Sequence, residues 1–196
     1  MYPRIDQSDA SNHAIFQTLD RVNLSPYAKG EYLRRGLWAI VQGTLFRFSP
    51  ARLYSWRRFL LRMFGAQLSR TCGIQSTVRI VHPWLLKVGE HSMIGAGTLL
   101  YNLGIIDIGD HTVISQRCLL CAGTHDYTSP TLPLVRATIT VGHGVWIATE
   151  AFIGPDVRIG DNSVIGARAV VTSDVEANVV AAGNPCRTIK PREMRA

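Results

Sequence analysis

The strongest constraint on the fold of this chain is a six-residue repeat in its C-terminal half. An aliphatic residue recurs at every sixth position, in the order Val141, Ile147, Ile153, Ile159, Ile165 and Val171. Four of these residues are followed directly by glycine, and the fourth residue after each is small or β-branched. A period of six fits neither an α-helix nor the two-residue alternation of a strand. It predicts a chain that turns a corner every six residues, as in a parallel β-helix.

The same spacing is present in two earlier blocks, each in its own register. The blocks are Val88, Ile94, Leu100 and Ile108, Ile114, Leu120. Eight residues rather than six separate Leu100 from Ile108, and 21 residues rather than 18 separate Leu120 from Val141. Because stacked coils bury a continuous aliphatic column, we expect functional groups where the repeat is interrupted.

The size and composition of the chain limit its class. Its 196 residues suit one domain, and 46% hydrophobic residues with a mean hydropathy of +0.09 exclude a wholly disordered chain. No apolar run is long enough for a membrane-spanning helix, and residues 1–9 lack the apolar core of a secretory signal. The four cysteines, at spacings of 46, 3 and 65, form neither a disulfide framework nor a four-cysteine zinc site. We therefore expect a soluble protein of the reducing cytoplasm.

The positive charge is concentrated in one stretch. Residues 28–70 hold nine basic residues and one acidic residue, a net charge of +8, whereas residues 71–196 hold ten of each. A nucleic-acid-binding domain usually carries positive charge throughout, together with a recognisable binding motif, and the sequence contains no such motif. Nucleic acid is therefore not an expected partner.

The largest interruption of the repeat, residues 121–140, contains a single histidine, His125. The surrounding run is rich in glycine, proline and serine and cannot continue the coil. A sugar hydroxyl is a poor nucleophile, and an imidazole with a pKa of about 6.5 can accept its proton as the attack begins. On the residues alone, His125 is either a solvated side chain or a general base.

The repeat and the histidine-bearing loop resemble the hexapeptide-repeat acyltransferases, over roughly residues 72–185. Within that family the chain is similar to the O-acetyltransferases of galactosides, maltose and nodulation factors, and most similar to those of colanic-acid and exopolysaccharide biosynthesis. The resemblance implies a left-handed parallel β-helix of about six coils, and the sequence before the repeat predicts an α-helical N-terminal arm, so we expect an all-β fold with that arm. We expect a helical basic arm at 1–70, the β-helix acyltransferase domain at 71–185 with a catalytic loop at 121–140, and a basic tail at 186–196.

The resemblance also implies a reaction. Members of the family form trimers and transfer acetyl directly from acetyl-CoA to a hydroxyl in a ternary complex. We therefore expect a homotrimer that binds acetyl-CoA and acetylates a saccharide such as an exopolysaccharide precursor, free or linked to a lipid. The zinc-dependent members of the repeat class need closely spaced histidines, which this sequence lacks, so no metal is expected.

Eight residues match functional positions of the family. His125, in Thr124-His125-Asp126, matches the catalytic histidine, and Asn102 and Trp146 match residues at the acceptor. The residues implied to line the coenzyme site are Thr149, Ala167, Thr172, Arg187 and Lys190. The first three match positions along the pantetheine arm, and the two basic residues match the pair near the 3′-phosphate, for which positive charge is physically apt.

The N-terminal arm departs from the galactoside and maltose enzymes, so their acceptor contacts cannot be transferred to it. Its sequence predicts helices broken near Ser49-Pro50, with Ser49 as the cap of the second helix. The apolar face predicted for that second helix consists of Leu53, Trp56, Leu60, Met63 and Phe64. Two compatible interpretations stay open: a cap over the open end of the β-helix, or a basic amphipathic element on an anionic membrane.

Two other functions also stay open. One is acetyl transfer to the hydroxyl of an antibiotic, since that branch of the family shares the repeat and the loop histidine. The other is a non-catalytic trimeric scaffold. The joint presence of His125, Trp146, Arg187 and Lys190 argues against the scaffold.

Overall fold

A parallel β-helix with three sides makes up most of the computed structural model, which describes residue 17 and residues 29–194. Parts of the predicted arm (1–16 and 18–28) and the end of the predicted tail (195–196) lie outside the described residues. Two helices come first, α1 at Lys29–Val41 and α2 at Tyr54–Met63, with a π-helical turn at Gln42–Phe46 between them. None of the helices in the described part of the chain is long and apolar enough to cross a membrane.

Each side of the β-helix is a sheet of short strands, numbered in chain order, that successive coils contribute. Sheet A consists of β1 Gln67–Leu68, β4 Leu86–Val88, β7 Ile106–Ile108, β12 Ile139–Val141 and β15 Arg158–Ile159. Sheet B consists of β2 Gly73–Ile74, β5 Met93–Ile94, β8 Val113–Ile114, β13 Trp146–Ile147, β16 Val164–Ile165, β18 Val179–Ala182 and the antiparallel β19 Arg187–Pro191. Sheet C consists of β3 Arg79–Ile80, β6 Leu99–Tyr101, β9 Leu119–Cys121, β14 Phe152–Ile153 and β17 Val170–Val171. A 3₁₀ turn, Pro83–Leu85, and a hairpin of β10 Gly123–His125 and β11 Leu134–Arg136 complete the described elements.

The aliphatic column predicted from the repeat is the core. Strand pairing places Val88 beside Ile108, Ile108 beside Val141 and Val141 beside Ile159, and all four side chains are buried. The predicted parallel β-helix is therefore confirmed. A first coil precedes the blocks found by spacing: Leu68, Ile74 and Ile80 are also six residues apart, but no glycine follows them.

The second break in the repeat is larger than its spacing suggested. Leu120 lies in sheet C, and Val141 takes the next inward position, in sheet A. The interval between them is therefore not three hexads with a slip of three residues. Most of it, residues 123–136, is inserted chain that leaves the β-helix.

The turns between sheets have a common backbone pattern. We call them the A–B, B–C and C–A edges after the sheets they join. From the second to the fifth coil, the third residue after the inward aliphatic has a positive φ on the A–B and B–C edges, at His91, Gly97, His111, Arg117, Gly144, Glu150, Asn162 and Arg168. The glycine directly after the aliphatic is required by close approach of the next coil and not by its φ. A Cβ on Gly109, for example, would lie 2.7 Å from the carbonyl carbon of Gly142.

The N-terminal arm closes the open end of the β-helix. On sheet C, the indole N–H of Trp38 donates to Ile80 O at 2.7 Å, and Gln42 Oε1 accepts from Ile80 N. Sheets A and B are closed in the same way by guanidinium groups of α2 that donate to Leu68 O, Cys72 O and Ile74 O. The unpaired edge of the first coil is thus satisfied, and the arm acts as a cap.

The predicted details of α2 were wrong in two respects. The helix begins at Tyr54, and the hydroxyl of Ser49 donates to Phe46 O and accepts from Arg57 instead of capping it. Its packed face contains Arg57, which is fully buried, whereas Met63 is 65% exposed. Arg57 is buried because acceptors surround its guanidinium: Ile74 O of the first coil, and Ser49 Oγ, Pro50 O and Ala51 O of the arm.

Candidate active site

The inserted chain folds as an antiparallel hairpin that projects from the C–A edge. In it, β10 pairs with β11, so that Gly123 lies opposite Arg136 and His125 lies opposite Leu134. The predicted catalytic loop is therefore an ordered ribbon with the candidate histidine at the end of its first strand.

The base of the hairpin rests on the other interruption of the repeat. Leu103 is buried, and a Cβ on Gly104 would overlap the carbonyl oxygen of Ala137 at the base of the hairpin. Gly104 N also donates to Ala122 O at 2.8 Å. The two breaks that the sequence presents separately thus form one unit, in which the extra residues of one coil support the hairpin of the next.

The side chain of His125 is exposed, and one of its ring nitrogens is fixed. Nδ1 lies 2.7 Å from Leu132 O. A carbonyl oxygen only accepts, so Nδ1 carries the proton and donates it, and Nε2 keeps its lone pair. The carbonyl is itself held, because Leu132 has a φ of 44° and its N–H donates to Ser129 O at 3.1 Å. The hairpin therefore presents an imidazole in the tautomer that a general base requires.

Asp126, the residue after the histidine, is engaged in the tip of the hairpin. Its carboxylate accepts hydrogen bonds from the hydroxyl and the N–H of Thr128. These bonds, chiefly that of the hydroxyl, lower the pKa of Asp126. Asp126 thus shapes the tip as an ionised carboxylate, while the orientation of His125 comes from the backbone of Leu132.

Asn102 serves the fold in this structure. It is fully buried, its Oδ1 accepts from the N–H groups of Val81 and His82, and its Nδ2 donates to His82 O. The side chain satisfies backbone groups of the preceding coil where the chain takes eight residues, not six, to reach the next inward position. This arrangement does not support the predicted contact with an acceptor, which stays a prediction.

Trp146 lies on the outer face of sheet B. Its side chain is 48% exposed, and its indole N–H donates to Ser115 Oγ at 3.1 Å. Val113 and Val164 flank it on the neighbouring strands. The tryptophan thus belongs to an apolar strip that runs along this face.

The three positions matched to the pantetheine arm lie on two different edges. Thr149 and Ala167 occupy equivalent positions of successive coils on the B–C edge, where Arg168 N donates to Thr149 O at 2.9 Å. Thr172 follows Val171 and is therefore on the C–A edge. The structure groups Thr149 with Ala167 and separates Thr172 from both.

The two basic residues of the tail share one face. Arg187 pairs with Ala182 and Lys190 with Val180, and a bulge shifts the register between these pairs. Val180 and Ala182 alternate with the buried Val179 and Ala181, so they point outward. Since directly opposed residues of an antiparallel pair project to the same side, Arg187 and Lys190 both lie on the outer face of sheet B, beyond the strip that contains Trp146.

The candidate residues thus form two groups within one chain. His125 and Thr172 are on the C–A edge, whereas Trp146, Thr149, Ala167, Arg187 and Lys190 are on sheet B or the B–C edge. These are different edges of a three-sided prism. A single chain does not bring the histidine to the second group.

A cavity of about 900 Å³ lies on the B–C edge, between the arm and the first three coils. Three arginines line it: Arg47 of the arm, Arg79 of β3 and Arg117 of the third coil. The guanidinium groups of Arg47 and Arg79 have no hydrogen bond or ion pair among residues 29–194, whereas Arg117 pairs with Glu150. The cavity can therefore bind an anion.

Glu150 was not among the residues predicted from the sequence. Its carboxylate accepts a hydrogen bond from Arg168 Nε at 2.6 Å and also forms an ion pair with Arg117. These contacts, led by the hydrogen bond from Arg168, lower its pKa. Arg117, Glu150 and Arg168 each occupy the third position after the inward aliphatic in successive coils. The alternation of positive and negative charge at this turn position was therefore visible in the sequence.

Within the described ranges, no three His, Cys, Asp or Glu side chains are grouped to hold a metal ion. The four cysteines are free thiols, and Cys118 fills a buried inward position where its thiol donates to Ala148 O at 3.2 Å.

Comparison with known proteins places the repeat in a family. The model described as bacterial transferase hexapeptide (six repeats) matches residues 138–173. The chain is 44% identical over 163 residues to a protein of Escherichia coli K12 provisionally named as the colanic acid biosynthesis acetyltransferase WcaF. The match covers 83% of this chain and 90% of that relative.

Solved structures of similar proteins support the same placement. A galactoside acetyltransferase in complex with coenzyme A has a TM-score of 0.78 at 26% identity, and the match covers 86% of each chain. A maltose O-acetyltransferase from Clostridium difficile 630 has a TM-score of 0.75 at 27% identity, covering 85% of this chain and 90% of that one.

Proposed function

The chain belongs to the bacterial transferase hexapeptide family and is an acetyl-CoA-dependent acyltransferase, and we propose that it acetylates a saccharide hydroxyl with His125 as general base. The observation that carries the proposal is the 2.7 Å contact from His125 Nδ1 to Leu132 O. It leaves Nε2 free to accept a proton at an exposed site.

The proposed chemistry needs one proton transfer by the protein. Nε2 of His125 takes the proton of the acceptor hydroxyl as its oxygen attacks, and returns it to the leaving sulfur. Acetyl-CoA supplies the acetyl group as a thioester, so the products are an acetyl ester and free coenzyme A. The hydrogen bond to Leu132 O holds the ring in one orientation through both transfers.

The coenzyme is proposed to lie along sheet B and the B–C edge. The apolar strip around Trp146 and the stacked Thr149 and Ala167 suit a pantetheine arm. Arg187 and Lys190, on one face beyond that strip, suit a phosphate, since both present charged donors.

We propose a homotrimer as the active form. His125 is on the C–A edge of a chain and the proposed coenzyme residues are on its sheet B, so the site is incomplete in one copy. A three-fold arrangement, in which the C–A edge of one subunit meets sheet B of the next, would complete three equivalent sites.

The proposed acceptor is an exopolysaccharide precursor of the colanic-acid type. The name of the relative that is 44% identical supports this class. The cavity with Arg47, Arg79 and Arg117 supports an acceptor that carries negative charge, such as a saccharide joined to a phosphate. We further propose that the enzyme works in the cytoplasm, in peripheral contact with an anionic membrane where a lipid-linked acceptor would be found.

The test is an acceptor screen with purified protein. Release of free coenzyme A would be followed by thiol titration with neutral saccharides, phosphate-linked saccharides and hydroxyl-bearing antibiotics, and mass spectrometry would identify the acetylated product. We expect turnover of saccharides, with phosphate-linked ones preferred. Turnover of antibiotics alone would assign the enzyme to drug acetylation. A trimer that fails to bind coenzyme A in calorimetry would be a scaffold.

A further inference from the structure

The outward face of α1 is apolar, and no described residue covers it. Leu33, Leu37 and Ile40, at helical spacings of four and three, are 67%, 51% and 65% exposed. Phe48, whose N–H continues the helical ladder to Thr44 O, is 82% exposed. We call Leu33, Leu37, Ile40 and Phe48 the arm face.

The fold does not need this face. The opposite side of the same segment already packs against the β-helix through Trp38 and Phe46, which are almost completely buried. An amphipathic helix needs one apolar side to pack, and here a second apolar side points to solvent. Contiguous exposed apolar groups of this kind mark an interaction surface.

The charge around the arm face identifies its partner. Glu31 is the one acidic residue of the arm segment 29–64, and it points inward, with Arg136 at 3.7 Å. Arg47 adjoins Phe48 in the chain and Arg52 follows it four residues later; both are exposed, and neither has a side-chain partner within the described part of the molecule. Apolar side chains with free arginines beside them suit a surface that is apolar inside and anionic at its rim.

We propose that the arm face lies on an anionic lipid bilayer, with Leu33, Leu37, Ile40 and Phe48 among the acyl chains and Arg47 and Arg52 at the phosphates. A second copy of this chain is disfavoured as the occupant. Two arms placed face to face would oppose two segments, residues 29–64 of each copy, that each carry a net charge of +7.

This inference deepens the proposed membrane contact and rests on it, but it is independent of the proposed chemistry. It also relates the bilayer to the cavity, because Arg47 both adjoins Phe48 and lines the cavity wall. An acceptor carried on a lipid would therefore enter from the side on which the enzyme is bound.

The experiment is co-sedimentation of the full chain with large unilamellar vesicles, without coenzyme or acceptor. Vesicles of phosphatidylcholine mixed with phosphatidylglycerol would be compared with vesicles of phosphatidylcholine alone. The triple variant L33S/L37S/I40S tests the arm face, with Met194→Ser, an exposed apolar residue at the other end of the chain, as its control. Arg52→Glu tests the rim, with the exposed Arg158→Glu as a control of equal charge change.

We expect the wild-type chain to bind the anionic vesicles, and the triple variant to bind them roughly tenfold or more weakly. Arg52→Glu should also weaken binding. Salt at 0.5 M should reduce the binding of the wild type, because it screens the attraction between the arginines and the lipid phosphates. Both control variants should bind as the wild type does. If the wild type and the triple variant bind the anionic vesicles equally, the chain contacts the membrane through a surface other than the arm face. If the wild type does not bind, both the membrane contact and the role of the arm face are wrong. If the triple variant changes the oligomeric state in light scattering instead, the face is an interface between copies.

Discussion

Arg187 and Lys190 lie on the same face of the last strand, although a separation of three residues places side chains on opposite faces of a regular strand. The bulge in the pairing of β19 with β18 takes up one residue, so that Arg187 stands opposite Ala182 and Lys190 opposite Val180. Both charges are thereby directed outward from sheet B, where a single phosphate could contact the two of them.

The pair can be tested with a coenzyme that lacks one phosphate. Replacing Arg187 or Lys190 with alanine should weaken coenzyme A binding about five- to thirtyfold, which corresponds to roughly 1–2 kcal/mol. Binding of 3′-dephospho-coenzyme A should be weak already and almost unchanged by either substitution. Calorimetry would measure both ligands, with Arg158→Ala as the matched control. Equal losses for the two ligands would place the pair away from the 3′-phosphate.

The proposed base can be separated from its scaffold by an asparagine substitution. In His125→Asn the amide can still donate to Leu132 O but has no group equivalent to Nε2, so turnover should fall by a factor on the order of 10² to 10⁴. Coenzyme binding and the unfolding temperature should stay at the wild-type values. His91→Asn is the matched control, since His91 is exposed on the A–B edge and its positive φ suits asparagine. Full activity of His125→Asn on the true acceptor would refute the assignment.

The sequence predicted the core of this molecule well because the core is repetitive. Within an unbroken block each inward aliphatic has the same surroundings as the one six residues away, so spacing alone places Val141 in line with Ile159 and Ile147 in line with Ile165. The first coil was missed because Leu68, Ile74 and Ile80 lack the accompanying glycines. The repeat itself did not show that a guanidinium group of the arm donates to the carbonyl oxygen of Leu68.

The site was less predictable because it depends on single contacts. The histidine could be found as the one imidazole in an interrupted repeat, but the carbonyl of Leu132 that fixes its tautomer has no signature in the sequence. Arg57 was not among the residues predicted for the packed face of the second helix. Its burial follows from acceptors on two elements, Ile74 O of the first coil and the turn at residues 49–51 of the arm, which meet only when the arm is docked.

The support of the hairpin by Gly104 can be tested with an alanine. In Gly104→Ala the new methyl would overlap Ala137 O, so the base of the hairpin has to shift. We expect a loss of roughly 1–3 kcal/mol in stability and a fall in kcat, because the ribbon that carries His125 moves. Gly36→Ala is the control: it lies in α1 with open space around its Cα, and its helix should gain up to about 1 kcal/mol. Thermal unfolding and turnover of both variants would decide, and unaltered turnover in Gly104→Ala would show that the base is not needed for positioning.

The buried guanidinium of Arg57 should be important for stability. It donates to Ile74 O at 2.6 Å, to Ser49 Oγ and Pro50 O at 2.8 Å, and to Ala51 O at 2.6 Å. Arg57→Met keeps much of the volume and leaves these acceptors without a donor, which should cost about 3 kcal/mol. Arg52→Met, at an exposed arginine of the same arm, should change stability by less than about 0.5 kcal/mol. A comparison of unfolding temperatures checks this, and equal values for the two variants would contradict the capping role.

Burial of His82 should make the stability depend on pH. Its ring is fully buried, Nδ1 lies 3.0 Å from Asn102 O, and Glu31, Arg35 and Arg136 are the charged groups that act on it. Burial, the largest effect, lowers the pKa of His82 below its usual value of 6.5. The unfolded chain therefore binds a proton at a higher pH than the folded chain does, and stability falls as the pH drops below about 6.5. The loss attributable to one proton is at most about 1.4 kcal/mol per pH unit. Denaturant unfolding between pH 7.5 and pH 5 (roughly the range in which an ordinary histidine titrates) should show a smaller dependence of stability on pH for His82→Gln than for the wild type. Identical slopes for the wild type and His82→Gln would mean that His82 binds its proton equally in both states.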